Sequence, residues 1–261
     1  MNKYDVFIDN LSKNFSGIKN FHLTQEEGVG KTLFDFLVKS LAELHSAKGL
    51  FVNYYIPTAD KATSDDIAEL NKSKYKSLIN LTELDLKENY YETVRLGYVA
   101  VYHKYEIFIK QLLINAEAVY AEISDKNVTL EKYIQKTFQF KIHDITYSPN
   151  LHRINYICNC TKHYDGYPRK ANPPKEFENL PQDKKLNFAA DDLSKDIDFL
   201  IAHYNSLLSV ALILGSHKML HEGVLTDLKD IEDGPDKENI LAQKAIVDTN
   251  ARQLIDSLSW T

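Results

Sequence analysis

The sequence predicts an all-α fold, an antiparallel bundle of long helices with an N-terminal helical extension. Three observations predict it. Apolar residues step by four and three through two long proline-free stretches, the spacing of a helix seam that faces another helix. Nine Gly and seven Pro in 261 residues leave few interruptions. Strand signals are weak, Leu50 to Ile56 (LFVNYYI) being the best β candidate.

In chain order, Tyr4 to Phe15 predicts a short first helix, with Val6, Phe7, Leu11 and Phe15 on it. Thr32 to Leu44 predicts a better one, with Leu33, Phe36, Leu37, Leu41 and Leu44 at helical spacing. Ile56 to Asp66 (IPTADKATSDD) reads as a linker by composition. Asp85 to Glu122 is the first long seam, through Val94, Tyr98, Val101, Tyr105, Phe108 and Leu112. Thr129 caps a shorter helix reaching Phe140, with Lys132 where a capping box would need Glu.

Ser148-Pro149-Asn150 opens the next helix, Leu151 to Tyr164, and Asp165-Gly166 stops it. Tyr167 to Lys185 holds four of the seven prolines and reads as a loop. Asp192 to His221 is the second long seam, through Leu193, Ile197, Leu200, Tyr204, Leu207, Ala211 and Leu214. An acidic loop, Val224 to Asp236, leads to a last amphipathic helix, Glu238 to Leu258. The division expected is an N-terminal extension over 1–84, a bundle over 85–222 and a C-terminal helix within 223–261.

Composition excludes more than it assigns. With 31 Lys plus Arg against 37 Asp plus Glu the formal charge is −6, which argues against a surface that is a nucleic-acid footprint throughout. At 44% hydrophobic and 26% charged the chain is neither disordered nor collagen-like. No uninterrupted apolar run of ~18 residues is present, so no membrane span is expected. The N-terminus does not resemble a secretory signal, and Cys158 and Cys160 sit too close to form a useful disulfide. A reduced, cytoplasmic protein is the expectation. Sixteen Tyr and twelve Phe against one Trp (Trp260) predict a core whose phenol tips reach the surface or a groove.

Three short motifs are set aside. Gly28-Val29-Gly30-Lys31-Thr32 looks like the end of a phosphate-binding loop, but Gln25 stands where the first Gly belongs and no good strand precedes it. His217 and His221 share a helix face and Glu222 could add a carboxylate, yet Lys218 replaces the Glu of a zinc peptidase, and two His alone make an incomplete site. Cys158, Cys160 and His163 cannot converge on one ion, because positions two apart point about 200° apart on a helix. No metal or cofactor is expected.

The most informative segment is Leu151 to Arg169 (LHRINYICNCTKHYDGYPR). Tyr156, Asn159 and His163 fall on one predicted face, turned away from the Leu151/Ile154 core face. Lys162 and His163 sit near a helix C-terminus, where the dipole favours cations. Between Arg153 and Lys185, seven Lys or Arg meet four Asp or Glu, and Tyr164 and Tyr167 are interleaved with them. Cations beside aromatic faces are what single-stranded RNA requires, and a solvated helix end with a basic loop has the same composition.

The order of elements resembles the HEPN superfamily of helical bundles. A long helix with Tyr102 to Leu112 (YHKYEIFIKQL) and Glu106 precedes a helix ending Asn159-Cys160-Thr161-Lys162-His163-Tyr164-Asp165-Gly166, then a proline-bearing loop and another long helix. The resemblance spans Asp85 to His221. It implies RNA processing, phage defence or a toxin–antitoxin pair, with RNA, a second copy in a homodimer and a protein partner such as an antitoxin. The activity it implies is that of a metal-independent endoribonuclease, in which a ribose 2′-OH attacks its own 3′-phosphodiester. It implies His163 as acid or base and Asn159 as the residue that orients it or the phosphate. Arg153, Lys162, Tyr164, Tyr167, Arg169 and Lys170 would contact the RNA. The family motif also has an Arg just before the polar residue, and here Cys158 stands there. Arg153 lies ten residues before His163, ~15 Å along a helix axis. Loss of that cation removes ~10²-fold or more in rate. Two expectations follow, an RNA-handling protein that cuts and a non-catalytic helical interaction or dimerisation module.

Overall fold

The computed structural model describes residues 29–76, 78, 85–121, 128–146, 148–224 and 233–258. All regular structure among them is helical: α1 Val29–Leu50, α2 Ile56–Lys72, α3 Glu88–Ala121, α4 Leu130–Phe138, α5 Ile142–Thr146, α6 Pro149–Tyr164, α7 Ala190–Lys218 and α8 Pro235–Leu258. Two π-helical turns, Phe51–Tyr55 and Met219–Val224, and a 3-10 turn, Lys175–Phe177, complete the set. The all-α class holds. The first predicted helix, Tyr4 to Phe15, and most of the acidic loop lie outside the described residues.

Both long seams are core. Val94, Tyr98, Val101, Tyr105, Phe108 and Leu112 of α3 are buried, as are Leu193, Ile197, Leu200, Tyr204, Leu207, Ala211 and Leu214 of α7. Thr129 caps α4, its hydroxyl accepting from the Lys132 N–H at 3.3 Å. The window Ala190–His221 is long and apolar enough on average to cross a membrane by length and composition, although His203, Asn205 and Ser206 interrupt its apolar run. Of its most apolar part, 61% is buried inside the fold, so its hydrophobicity serves the core.

Two local expectations are corrected. Leu50 to Ile56 is not a strand. Leu50 and Ile56 both have helical dihedrals, and the five residues between them form a π turn whose Phe51 and Tyr55 rings meet edge to face at 5.3 Å. Helical flanks override the β preference of Phe, Val and Tyr, which is a packing preference with no partner strand to satisfy it among the described residues. Ile56 to Asp66 is not a linker but the start of α2. Pro57 falls in the first turn, where its missing N–H costs little. Only Ile56 and Thr63 of α2 are buried, so its polar composition marks a solvated helix.

The chain forms two compact units, with boundaries inside α1, α3 and α7. One comprises the described residues up to Leu41, Phe108–Ser148 and those from His203 onward. Its core gathers Leu33 and Leu37, Leu112 and Tyr120, Ile134, and Leu207 to Leu214. The other comprises Ala42–Ile107 and Pro149–Ala202. Within it α1 and α3 are antiparallel, since Glu43 pairs with Lys104 while Phe51 faces Gly97. α3 and α6 are antiparallel too, since Tyr102 lies beside Asn155 while Arg95 lies against Gly166. α3 and α7 run the same way, with Arg95 on Asn187 and Tyr98 on Asp196.

Candidate functional site

The end of α6 is built by its own loop. Asp165 (φ 53°) and Gly166 (φ 81°) both turn left-handed, and the Gly166 N–H donates back to the Cys160 carbonyl at 3.0 Å. This is the predicted stop, and glycine is required there twice over. A Cβ on Gly166 would lie 2.8 Å from Arg95 Nε. Arg95 is 2% exposed and donates to the Leu186 carbonyl (3.0 Å), to Asn187 Oδ1 (3.1 Å) and to Glu88. Lys185 bridges Glu88 and Asp165, each at 2.9 Å, and the Leu186 N–H donates to the Gly166 carbonyl at 2.8 Å. The loop is thus fastened to the helix end through a buried guanidinium.

Around this end the expected site residues fall into two sets. Lys162 and His163 are exposed, and Tyr164 is 39% exposed. His163 makes no hydrogen bond or ion pair with any described residue. Arg169 lies over the Tyr167 ring at 4.5 Å, and Lys185 lies 5.5 Å from the same ring. Tyr167, Lys184, Lys185 and Glu88 help line a pocket of ≈ 520 Å³.

The second set serves the fold. Arg153 pairs with Glu176 at 2.5 Å and with Asp196, and it packs 5.5 Å from the Phe188 ring. Burial works against its charge, and Asp196, Tyr98 and Glu176 together outweigh that and raise its pKa. The Asn159 amide donates to the Asn155 carbonyl at 2.8 Å and to the Asn155 side chain. Lys170 reaches the same Asn155 Oδ1 at 3.2 Å. Asn159 is therefore held along its own helix, away from the task expected of it. Tyr156 is fully buried and stacks on Phe177 at 5.5 Å, so it does not share an open face with His163. The 3-10 turn bearing Phe177 covers that side of α6, which periodicity within α6 cannot reveal. Cys158, at the motif's Arg position, is buried, and burial raises its thiol pKa against the pull of Lys162.

A second constellation lies in the other unit. Its sequence trace was the His217/His221 pair. α8 adds Asp248, whose Oδ1 lies 2.9 Å from His217 Nε2 and 3.2 Å from His221 Nε2. The one ligand atom each residue offers lies within 4.8 Å of the others. The imidazole rings lie 4.2 Å apart, 16° from parallel. His217 Nδ1 is 2.8 Å from the Tyr133 hydroxyl, and the Phe138 ring meets it edge-on at 4.9 Å. Lys244 binds the other carboxylate oxygen, Oδ2, at 2.8 Å. Burial and then the neighbouring His221 push His217 down to about 4. Burial would raise the Asp248 carboxyl, but hydrogen bonds from Lys244 and His221 carry it down to about 2. At neutral pH the cluster thus presents a neutral buried imidazole to a carboxylate.

No family model matches the chain, and no curated protein or solved structure matches it either.

Proposed function

We propose that this chain is a HEPN-like, cytoplasmic RNA-handling protein that contacts single-stranded RNA through the C-terminal end of α6. The observation that carries the reading is the exposed run Lys162-His163-Tyr164 beside Arg169 on Tyr167. Phosphate is met by Lys162 and Arg169, and a base stacks on Tyr164. Arg153 stays with Asp196 and Glu176, and the cations beside Cys158 are lysines, Lys162 and Lys170, which lack the forked donors of the motif Arg. The chain therefore binds without cutting unless a second copy supplies that cation in a homodimer. Phage defence or a toxin–antitoxin pair, with an antitoxin as partner, is the setting that fits this reading.

The test is an electrophoretic shift of short single-stranded RNA over a salt series, followed by cleavage assays. Binding that weakens steeply with salt, and drops at least ~10-fold in Lys162→Ala/Arg169→Ala, is the expected result. Absence of any shift at roughly 50 mM salt sinks the RNA reading and leaves a protein-interaction module. Cleavage abolished by His163→Ala would restore the nuclease version.

A further inference from the structure

We propose that His217, His221 and Asp248 form a binding site for a divalent transition-metal ion of the zinc class, with one coordination position open to water or an exchangeable ligand. The site is separate from the α6 end and does not depend on the RNA reading.

The donor set comes first. Two imidazole nitrogens and a carboxylate oxygen suit zinc, cobalt or nickel, whereas magnesium and calcium prefer oxygen alone. Three protein ligands leave the fourth tetrahedral position free. Spacing comes next. Ligands ~2.1 Å from a tetrahedral ion lie roughly 3.4 Å apart. The Asp248 Oδ1 separations of 2.9 Å and 3.2 Å need only a small expansion to admit an ion.

The surrounding groups hold two of the ligands, His217 and Asp248, in a metal-ready orientation. The Tyr133 hydroxyl at 2.8 Å engages His217 Nδ1, which leaves Nε2 as the donor facing Asp248. A partner on the far ring nitrogen is the usual support of a metal-bound imidazole. Lys244 occupies Asp248 Oδ2 and leaves Oδ1 free to bind an ion through one oxygen. His221 lies within the π turn Met219–Val224, a widened helical turn of the kind that recurs at functional sites.

One movement is required. Rings 16° from parallel direct their lone pairs side by side, so a shared ion needs one ring to turn. His221 is the ring that turns, because its side chain is 33% exposed while that of His217 is 8% exposed and held by Tyr133. The open position lies on the His221 side, where solvent reaches.

The experiment is a titration of chelator-treated full-length protein with Zn²⁺ alone and with Co²⁺ alone. Stoichiometry is read by equilibrium dialysis and ligand geometry by the visible absorption of Co²⁺. One ion per chain, a tetrahedral Co²⁺ spectrum and a metal-dependent rise in Tm are expected. His221→Ala and Asp248→Asn each weaken binding by at least ~10-fold, and Tyr133→Phe weakens it about 10-fold by freeing the His217 ring. His217 is buried and its replacement risks unfolding, so the decisive variant is the more exposed His221→Ala. Retained affinity in a folded His221→Ala, or no bound ion in the parent protein, overturns the proposal and reduces the cluster to a helix–helix hydrogen-bond tie.

Discussion

Two helices of this protein end in histidines, and the two ends are built oppositely. At the end of α6, the loop gathers Arg95, Glu88, Asp165 and Lys185 into one ion network and leaves His163 in solvent with no group to orient it. At the end of α7, His217 has both nitrogens engaged, one by Tyr133 and the other by Asp248. An imidazole held at both nitrogens has a set ring plane, and a bare one samples many. Acid–base work and metal ligation both depend on that orientation. The α7 end thus carries groups that orient its histidine, whereas the α6 end offers its histidine none among the described residues.

The largest effect should come from the buried cation under the α6 end. Arg95→Ala leaves the Leu186 carbonyl and Asn187 without their buried donor and Glu88 with Lys185 alone, and should destabilise the protein by ~3 kcal/mol, measured by urea unfolding. If it does so without speeding amide exchange over 166–186, the loop is held by something else. Arg153→Ala comes next. It should cost about 2 kcal/mol, because Glu176 loses its partner and Asp196 keeps only the Tyr98 hydroxyl. Lower RNA affinity with unchanged stability would instead return Arg153 to the phosphate-contacting set.

Tyr133→Phe in the metal-free protein should lower stability by about 1 kcal/mol, the worth of one buried hydrogen bond. No change at all would mean that Tyr133 does not set the His217 ring. A shallower effect is expected from His203, which burial holds below the ordinary histidine pKa despite its bond to the Ile145 carbonyl at 2.8 Å. The unfolded chain takes up this proton first as pH falls through ~6.5. Its contribution is thus complete above ~6.5 and is lost as pH falls toward the folded value. His203→Gln should flatten the dependence of the urea midpoint between about pH 7.5 and 5.5, and an identical slope in both proteins would discard the assignment. The smallest effect belongs to His163→Ala, which should shift stability by less than ~0.5 kcal/mol because the side chain is exposed and makes no hydrogen bond or ion pair with a described residue.

The parts readable in advance were those with a period. Val94 to Leu112 and Leu193 to Leu214 pack on one side along their length, so their apolar steps are regular. α2 was opaque for the opposite reason, since two buried residues in seventeen leave no period. At the α6 end, the exposure of Lys162 and His163 follows from their place in the last helical turn. The capture of Arg153 does not follow from sequence, because its carboxylates come from 176 and 196. Asp248 left no local trace either. It stands 27 residues beyond His221, and its visible neighbour is Lys244, four residues back.

The join between α1 and α2 changes how a protease would read this chain. Residues 57–66 look like a tether, yet Val29 to Lys72 is helical throughout, passing from α1 through the π turn into α2. A protease must bind its substrate as an extended strand, and a wound helix does not fit that cleft. Cleavage within 57–66 would therefore measure how often α2 unwinds, and it would make that segment a clock for local opening.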